Sequence, residues 1–386
     1  MSLSLIYAMA FVLSVAVTSY MIPKIIVISF KKKLFDTVDG RKVHTGNVPR
    51  LGGVAFMPTI IITFSLIAGV HIVMGQPIGP FLTSCAPIVG LYLCSLIFLY
   101  LEGIADDLVG VGYKPKFAVM FFAALLIACS GTYIHDFHGL LFLHRLPAWV
   151  GGLLSMFLIV FVINAINLID GVDGLASGVS MLAFFFFFVL FARVGDGFFA
   201  MLSLVSLGML IPFWIYNVFG KVERKKKIFM GDTGAQTVGL LLSVLAIRLS
   251  MYPAGSSDLI SHPLGISMTL LLVPCFDLLR VFVWRIRHRR NPFLPDRQHI
   301  HHKLLAIGMS PRTTMTTVIS IAAFYILLNF SLFTVLNINL ILLVDIAIYA
   351  FLHIALSHII RKKAVMFTAS EEKSGGPTPE GHVEAQ

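Results

Sequence analysis

Eleven stretches of 17 to 24 mostly apolar residues follow one another along this chain of 386 residues, each long enough to cross the hydrocarbon core of a bilayer as a helix. They are Leu3–Ile22, Val54–Met74, Leu82–Ile104, Phe117–Ile134, Leu146–Ile166, Leu175–Phe191, Phe198–Val218, Thr233–Leu249, Leu264–Trp284, Thr313–Leu336 and Ile338–Ile360. With 58% of its residues hydrophobic and 12% charged, the chain cannot cover that much apolar surface with its own polar residues. The expected fold class is an all-α polytopic membrane protein with about eleven transmembrane helices.

The distribution of Lys and Arg sets the expected orientation. Of 29 basic residues, 24 fall in Lys31–Gly53, around Lys114 and Lys116, in Lys221–Lys227, in Arg285–Arg312 and after Ile360. Eleven crossings put all five segments on one side, which the excess of positive charge makes the cytoplasm. No Lys or Arg precedes the first stretch, which lacks a small-residue cleavage site and is followed by Lys31, Lys32 and Lys33, so it reads as a retained helix. The N-terminus is thus expected in the periplasm and the C-terminus in the cytoplasm, in the cell inner (plasma) membrane. Residues 1–363 read as one transmembrane catalytic domain and 364–386 as a disordered cytoplasmic tail. Topology also accounts for the net charge of +10, so the expected partner is the lipid bilayer and not nucleic acid. The oligomeric state is left open, a homodimer being one option. Cys85, Cys94, Cys129 and Cys275 all lie in apolar stretches without metal spacing.

Acidic residues are scarce, yet Asp106, Asp107, Asp170, Asp173, Asp232 and Asp296 crowd the cytoplasmic helix ends and adjoining loops. Carboxylates near membrane depth are costly unless something cationic compensates them, and a divalent metal with a phosphorylated ligand would do so. Asp106 and Asp107 end the third helix, with Lys114 and Lys116 following. Adjacent helical residues point about 100° apart, so one carboxylate can face a metal or phosphate while the other accepts a proton. A solvated acidic helix end looks the same.

Asn164, Asn167 and Asp170 recur at i, i+3 and i+6 before Gly171, Asp173 and Gly174, which places oxygen donors of the kind Mg²⁺ prefers on one face if the helix continues that far. A capping turn would use one or two of them. Phe229-Met-Gly-Asp232-Thr-Gly opens the eighth helix after the basic run Arg224–Lys227; Asp232 suits an N-cap, and the helix start suits phosphate. The basic run by itself reads as a topology determinant, and Phe229 as packing. In Asp296-Arg297-Gln-His299-Ile-His301-His302, three imidazoles beside Arg297 and Lys303 suit a pyrophosphate, with zinc disfavoured for want of a nearby fourth ligand.

In order and spacing, from Pro49-Arg-Leu-Gly-Gly53 to His302, these motifs resemble the polyprenyl-phosphate N-acetylhexosamine-1-phosphate transferases, in their WecA/TagO-like branch, with phospho-MurNAc-pentapeptide transferase a more distant relation. The resemblance implies ten or eleven helices, a cytoplasmic active site, Mg²⁺ or Mn²⁺ as cofactor, and UMP as a product. The implied partners are a UDP-N-acetylhexosamine, with GlcNAc foremost, and undecaprenyl phosphate, in the first step of a lipid-linked envelope polysaccharide. It further implies Asp106 as base toward the lipid phosphate, Asp107 and Asp170 in the same catalytic network, and Asn167 and Asp232 as metal ligands. Gly171, Asp173 and Phe229 match a uridine pocket. Lys116, Arg297, His299, His301 and His302 match groups on the pyrophosphate. Two departures are Thr45, where the muramoyl branch has Lys, and Ala235-Gln236, where a Ser is usual after Gly234.

Two rival readings stand beside this one. A CDP-alcohol phosphotransferase needs Asp-Gly-x-x-Ala-Arg, which Asp170-Gly-Val-Asp-Gly-Leu lacks. A transporter places ionisable groups near the midplane; the deep candidates are Asp277, Asp345 and His353, and Asp277 can pair with Arg280.

Overall fold

A computed structural model describes residues 2–35, 48–74, 86–258, 260–291 and 298–373. Thirteen α-helices run in order: α1 (Leu3–Lys32), α2 (Phe56–Val73), α3 (Ala86–Val109), α4 (Tyr113–Cys129), α5 (Ala148–Ile169), α6 (Leu175–Arg193), α7 (Gly197–Phe219), α8 (Gly231–Ser250), α9 (Pro263–Leu270), α10 (Leu272–Arg287), α11 (Ile300–Ala306), α12 (Pro311–Leu332) and α13 (Ile338–Lys373). The only strand-like feature among the described residues is one bridge between Asp136 and Arg145. That follows from the solvent, because backbone in hydrocarbon must satisfy its hydrogen bonds within its own segment.

Among the described residues nine helices are long and apolar enough to cross a membrane, and α9 with α10 would make a tenth span. The protein is therefore a polytopic helical membrane protein. Every one of the eleven apolar stretches overlaps a helix, but two differ from a simple crossing. The fourth yields α4, only 17 residues long. The ninth is broken, with α9 and α10 bent by 73° at Leu271. The cause is Pro274, whose missing N–H and bulky ring cannot continue a helix past the carbonyl of Leu270.

The centre of the bundle is α8, buried at almost every position, including Thr233, Gln236, Thr237 and Ser243. Its neighbours approach through glycine. A Cβ on Gly103 would run into the backbone of Thr233, and one on Gly53 into the backbone of Gly234. Small residues let helix backbones close up in a membrane, where packing and not hydrophobic exclusion drives association. Because Gly103 lies one turn before Asp106 and Asp107, this contact carries the end of α3 to the start of α8.

Candidate functional site

The first turn of α8 faces the end of α3. Gly231 adopts φ +71°, and a side chain there would strike the Arg50 carbonyl and the Asp107 carboxylate. Asp107 Oδ1 accepts the backbone N–H of Asp232 at 2.7 Å, while its Oδ2 accepts the N–H and hydroxyl of Thr233 at 3.0 and 2.7 Å. The residue preceding the helix, Met230, makes no side-chain cap. The N-cap role expected of Asp232 is therefore taken by Asp107 from another helix, and Asp232 stands inside the first turn with its carboxylate released.

That carboxylate is the hub of four helix ends. Asp232 Oδ1 accepts from Asn167 Nδ2 at 2.6 Å, at the end of α5, and from Lys116 Nζ, at the start of α4. Its Oδ2 lies 3.9 Å from an Arg50 guanidinium nitrogen. Lys116 also donates to Asp106 Oδ2 at 2.9 Å, and Asp106 Oδ1 accepts the Val111 N–H at 2.6 Å. The adjacent aspartates thus separate their tasks, Asp106 facing the lysine and Asp107 the helix start. Lys116 and Arg50 supply cationic compensation from within the chain.

The run from Asn164 to Asp170 does not form one continuous face. Helix α5 stops at Ile169; Asn164 Nδ2 turns back to the Val160 carbonyl at 2.7 Å, and Asp170 opens the following loop. Burial, followed by the negative charge of Asp173, holds the Asp170 carboxyl well above the usual carboxylate range, with Asp232 and Asp107 adding to the repulsion and Arg50 opposing it. Asp173 is 2.5 Å from Lys227 Nζ. Lys227 is buried while Arg224, Lys225 and Lys226 are exposed, so the basic run contributes one residue to the site and is more than a topology signal. Asn217 joins the two loops, accepting from Gly174 N at 2.5 Å and donating to the Ile228 carbonyl at 2.9 Å. Phe229, partly exposed, is pinned through its backbone by Pro49 O (2.8 Å) and Gly52 N (2.9 Å), which also brings Arg50 into the site.

The histidine motif approaches from the other side. His299 Nδ1 lies 2.8 Å from Asp277 Oδ2. His301, 1% exposed, lies with its ring plane parallel to that of His299 at 5.8 Å and covers the backbone of Gly171, where a Cβ would meet its Nε2. Among the described residues neither ring nitrogen of His301 has a hydrogen-bond partner. Burial first, and then His302 and His299, push its pKa down to about 3, so the ring is neutral. His302 is half-buried, with its ring 4.2 Å from that of His301. Thr45, Cys85, Asp296 and Arg297 lie outside the described residues.

Sequence reasoning passed over Arg50, Lys227 and Asn217 as site residues. For Arg50 the signal was its place beside Leu-Gly-Gly; Lys227 was hidden among exposed neighbours, and nothing local marked Asn217. Two apolar grooves, of roughly 220 and 270 Å³, lie deeper in the bundle, and none of the residues gathered here lines them.

Among the described residues no three His, Cys, Asp or Glu side chains converge as a metal cluster. The oxygen donors Asp232, Asp106 and Asn167 do share one network. Such a set fits Mg²⁺, which takes one or two protein carboxylates and fills its shell with water and substrate phosphate.

Residues 88–250, which run from the first turn of α3 to the end of α8 and include Asp106, Asp107, Asn167, Asp170, Asp173 and Asp232, match the glycosyl transferase family 4 model. Over 311 residues, 80% of each chain, the protein is 31% identical to a probable undecaprenyl-phosphate N-acetylglucosaminyl 1-phosphate transferase of Bacillus subtilis. It is 25% identical to the Yersinia pestis undecaprenyl-phosphate alpha-N-acetylglucosaminyl 1-phosphate transferase over 77% of this chain and 76% of that one. A decaprenyl-phosphate N-acetylglucosaminephosphotransferase of Mycobacterium leprae is 36% identical over 29% of each chain. Together with a bundle whose helix ends gather these carboxylates, lysine and histidines, the similarity across four fifths of the chain shows that the protein belongs to the polyprenyl-phosphate N-acetylhexosamine-1-phosphate transferase family.

Proposed function

We propose that this protein transfers N-acetylglucosamine 1-phosphate from its UDP derivative to undecaprenyl phosphate and releases UMP. The reaction takes place on the cytoplasmic face of the inner membrane, within an eleven-span topology whose N-terminus is periplasmic. The observation that carries this reading is the network of Asp106, Lys116, Asp232, Asn167 and Arg50, in which alternating charges occupy the ends of neighbouring helices. The activities named for the relatives supply the substrates.

Both reactants are anions, so the barrier is largely electrostatic. Lys116 and Arg50 attract the phosphates and offset their mutual repulsion. Asp232 and Asn167 would hold Mg²⁺ or Mn²⁺, which when bound supplies charge neutralisation to the pyrophosphate. Asp106, one Lys116 ammonium away from Asp232, accepts the proton of the lipid phosphate monoester. An oxygen of that phosphate then attacks the β-phosphorus, and the bond to the UMP oxygen breaks with its electron pair leaving on UMP. The partly exposed ring of Phe229 stacks on uracil, near Gly171 and Asp173. His301, neutral and without a hydrogen-bond partner among the described residues, offers a donor to the pyrophosphate, as do His302 and Arg297.

The test is release of UMP by the purified protein with UDP-GlcNAc and Mg²⁺. Release that depends on added undecaprenyl phosphate is expected. Release without the lipid, or none with it, would overturn the reading.

A further inference from the structure

Asp277 is a carboxylate buried in α10, 2% exposed, which the mechanism above does not use. Its two oxygens are employed unequally. Oδ1 collects three donors from three elements: the Ile300 N–H at the start of α11 (2.9 Å), Arg280 one turn along α10 (3.2 Å) and the Tyr349 hydroxyl of α13 (3.3 Å). Arg280 also donates to the carbonyl of Gln298, directly before His299. Those bonds fix the plane of the carboxylate. Oδ2 has one partner in this network, His299 Nδ1 at 2.8 Å. A helix start and an ion pair would be served by Oδ1 alone, so the second oxygen calls for another explanation.

We infer that Asp277 is a positioning residue, holding His299 with a proton on Nδ1 and presenting Nε2, on the opposite edge of the ring, to the phosphates of the substrate. A carboxylate on Nδ1–H selects that tautomer and favours the imidazolium when an anion arrives at Nε2. The inference rests on the proposed reaction for its substrate, but not for its geometry. The charged and titratable groups facing the pair are Arg280 on α10, His301, His302 and Lys303 on α11, and Tyr349 and His353 on α13.

Replacing Asp277 by Asn keeps an oxygen for the Ile300 N–H and turns an amide donor toward His299. Two donors cannot share that bond, so the ring must switch its proton to Nε2, the change that follows when an aspartate behind a histidine becomes an amide. In the full-length protein, Asp277→Asn is expected to lower kcat at least tenfold, on the order of what a misplaced acid or base group costs, with KM for UDP-GlcNAc changed far less. His299→Gln should lower kcat comparably, and the double variant should be no slower than His299→Gln alone. Additive losses, or an unchanged kcat in Asp277→Asn, would overturn the inference.

Nitrogen-15 spectra of histidine-labelled protein separate this from failure of the proposed reaction. One resonance, assigned by its absence in His299→Gln, should report protonation at Nδ1 in the wild type and at Nε2 in Asp277→Asn. The same tautomer in both proteins would refute the positioning role, whether or not transferase activity is found.

Discussion

Asp107 accepts the backbone N–H of Asp232 at 2.7 Å across 125 residues of sequence, so that one aspartate of α3 caps the helix on which the site's hub carboxylate rides. A charge-assisted bond to a helix start is favoured by the partial positive charge there. With Asp107 as the cap, Asp232 is free to meet Lys116 and Asn167, so the two helices must hold their register for the site to exist.

Asp107→Ala should accordingly destabilise the protein as well as inactivate it. Two backbone N–H groups and the Thr233 hydroxyl lose their acceptor, a loss of about 2–4 kcal/mol. Thermal melts in detergent should show a lower midpoint than for Asp106→Asn, whose carboxylate binds a side-chain amine and a single loop N–H. Equal midpoints would count against a capping role.

Asp232→Asn and Asp106→Asn should separate metal binding from proton transfer. The first removes one of few anionic ligands, so residual activity should need much more Mg²⁺ for half-maximal rate, with the fold intact. The second should slow the reaction at an unchanged Mg²⁺ requirement. Mg²⁺ titrations of both variants decide it, and a shifted requirement in Asp106→Asn alone would exchange the two roles.

One turn deeper, Gln236 Nε2 donates to Glu102 Oε2, leaving Glu102 Oε1 and Gln236 Oε1 buried without partners among the described residues. Two orphaned acceptors in one pair are costly, and a donor on residue 102 would relieve both. Glu102→Gln supplies that donor at nearly equal volume and should match or exceed the wild-type melting temperature, whereas Glu102→Ala should fall below it. A fall for Glu102→Gln as large as for Glu102→Ala would show that the carboxylate itself is required.

His301 gives a pH dependence of known sign. Its folded pKa, about 3, lies below the ordinary 6.5, so the unfolded chain binds the extra proton between those values and stability is lost as pH falls. The loss from pH 6.5 to pH 5 is about 2 kcal/mol for this one group. Melting of the wild type should drop over that interval, and His301→Asn should drop less. Parallel curves for the two proteins would mean that the ring is not held neutral by the fold.

Much of the site's composition is legible because hydropathy and charge are local properties. A run of apolar residues is helical in lipid whatever its neighbours do, and a scarce Asp at a helix end stands out against them. The Asn164 to Asp170 face was left conditional for the converse reason. It required a helix reaching Asp170, and the chain ends α5 at Ile169, just before the turn that contains Gly171 and Gly174. The break at Leu271 was equally hidden, since Pro274 sits inside an otherwise continuous apolar stretch.

The sequence by itself determined that this chain lives in a membrane as helices, and that Asp106, Asp107, Asn167, Asp232 and the histidines are its unusual polar residues. Only the tertiary structure decided their partners. It made Asp107 the cap and Asp232 the hub, brought Arg50 and Lys227 inward, and set Asp277 behind His299. The physical reason is distance along the chain: these bonds join residues tens to more than a hundred positions apart. The bonds at the start of α8 form because backbones with no side chain at Gly53, Gly103 and Gly234 can close to contact.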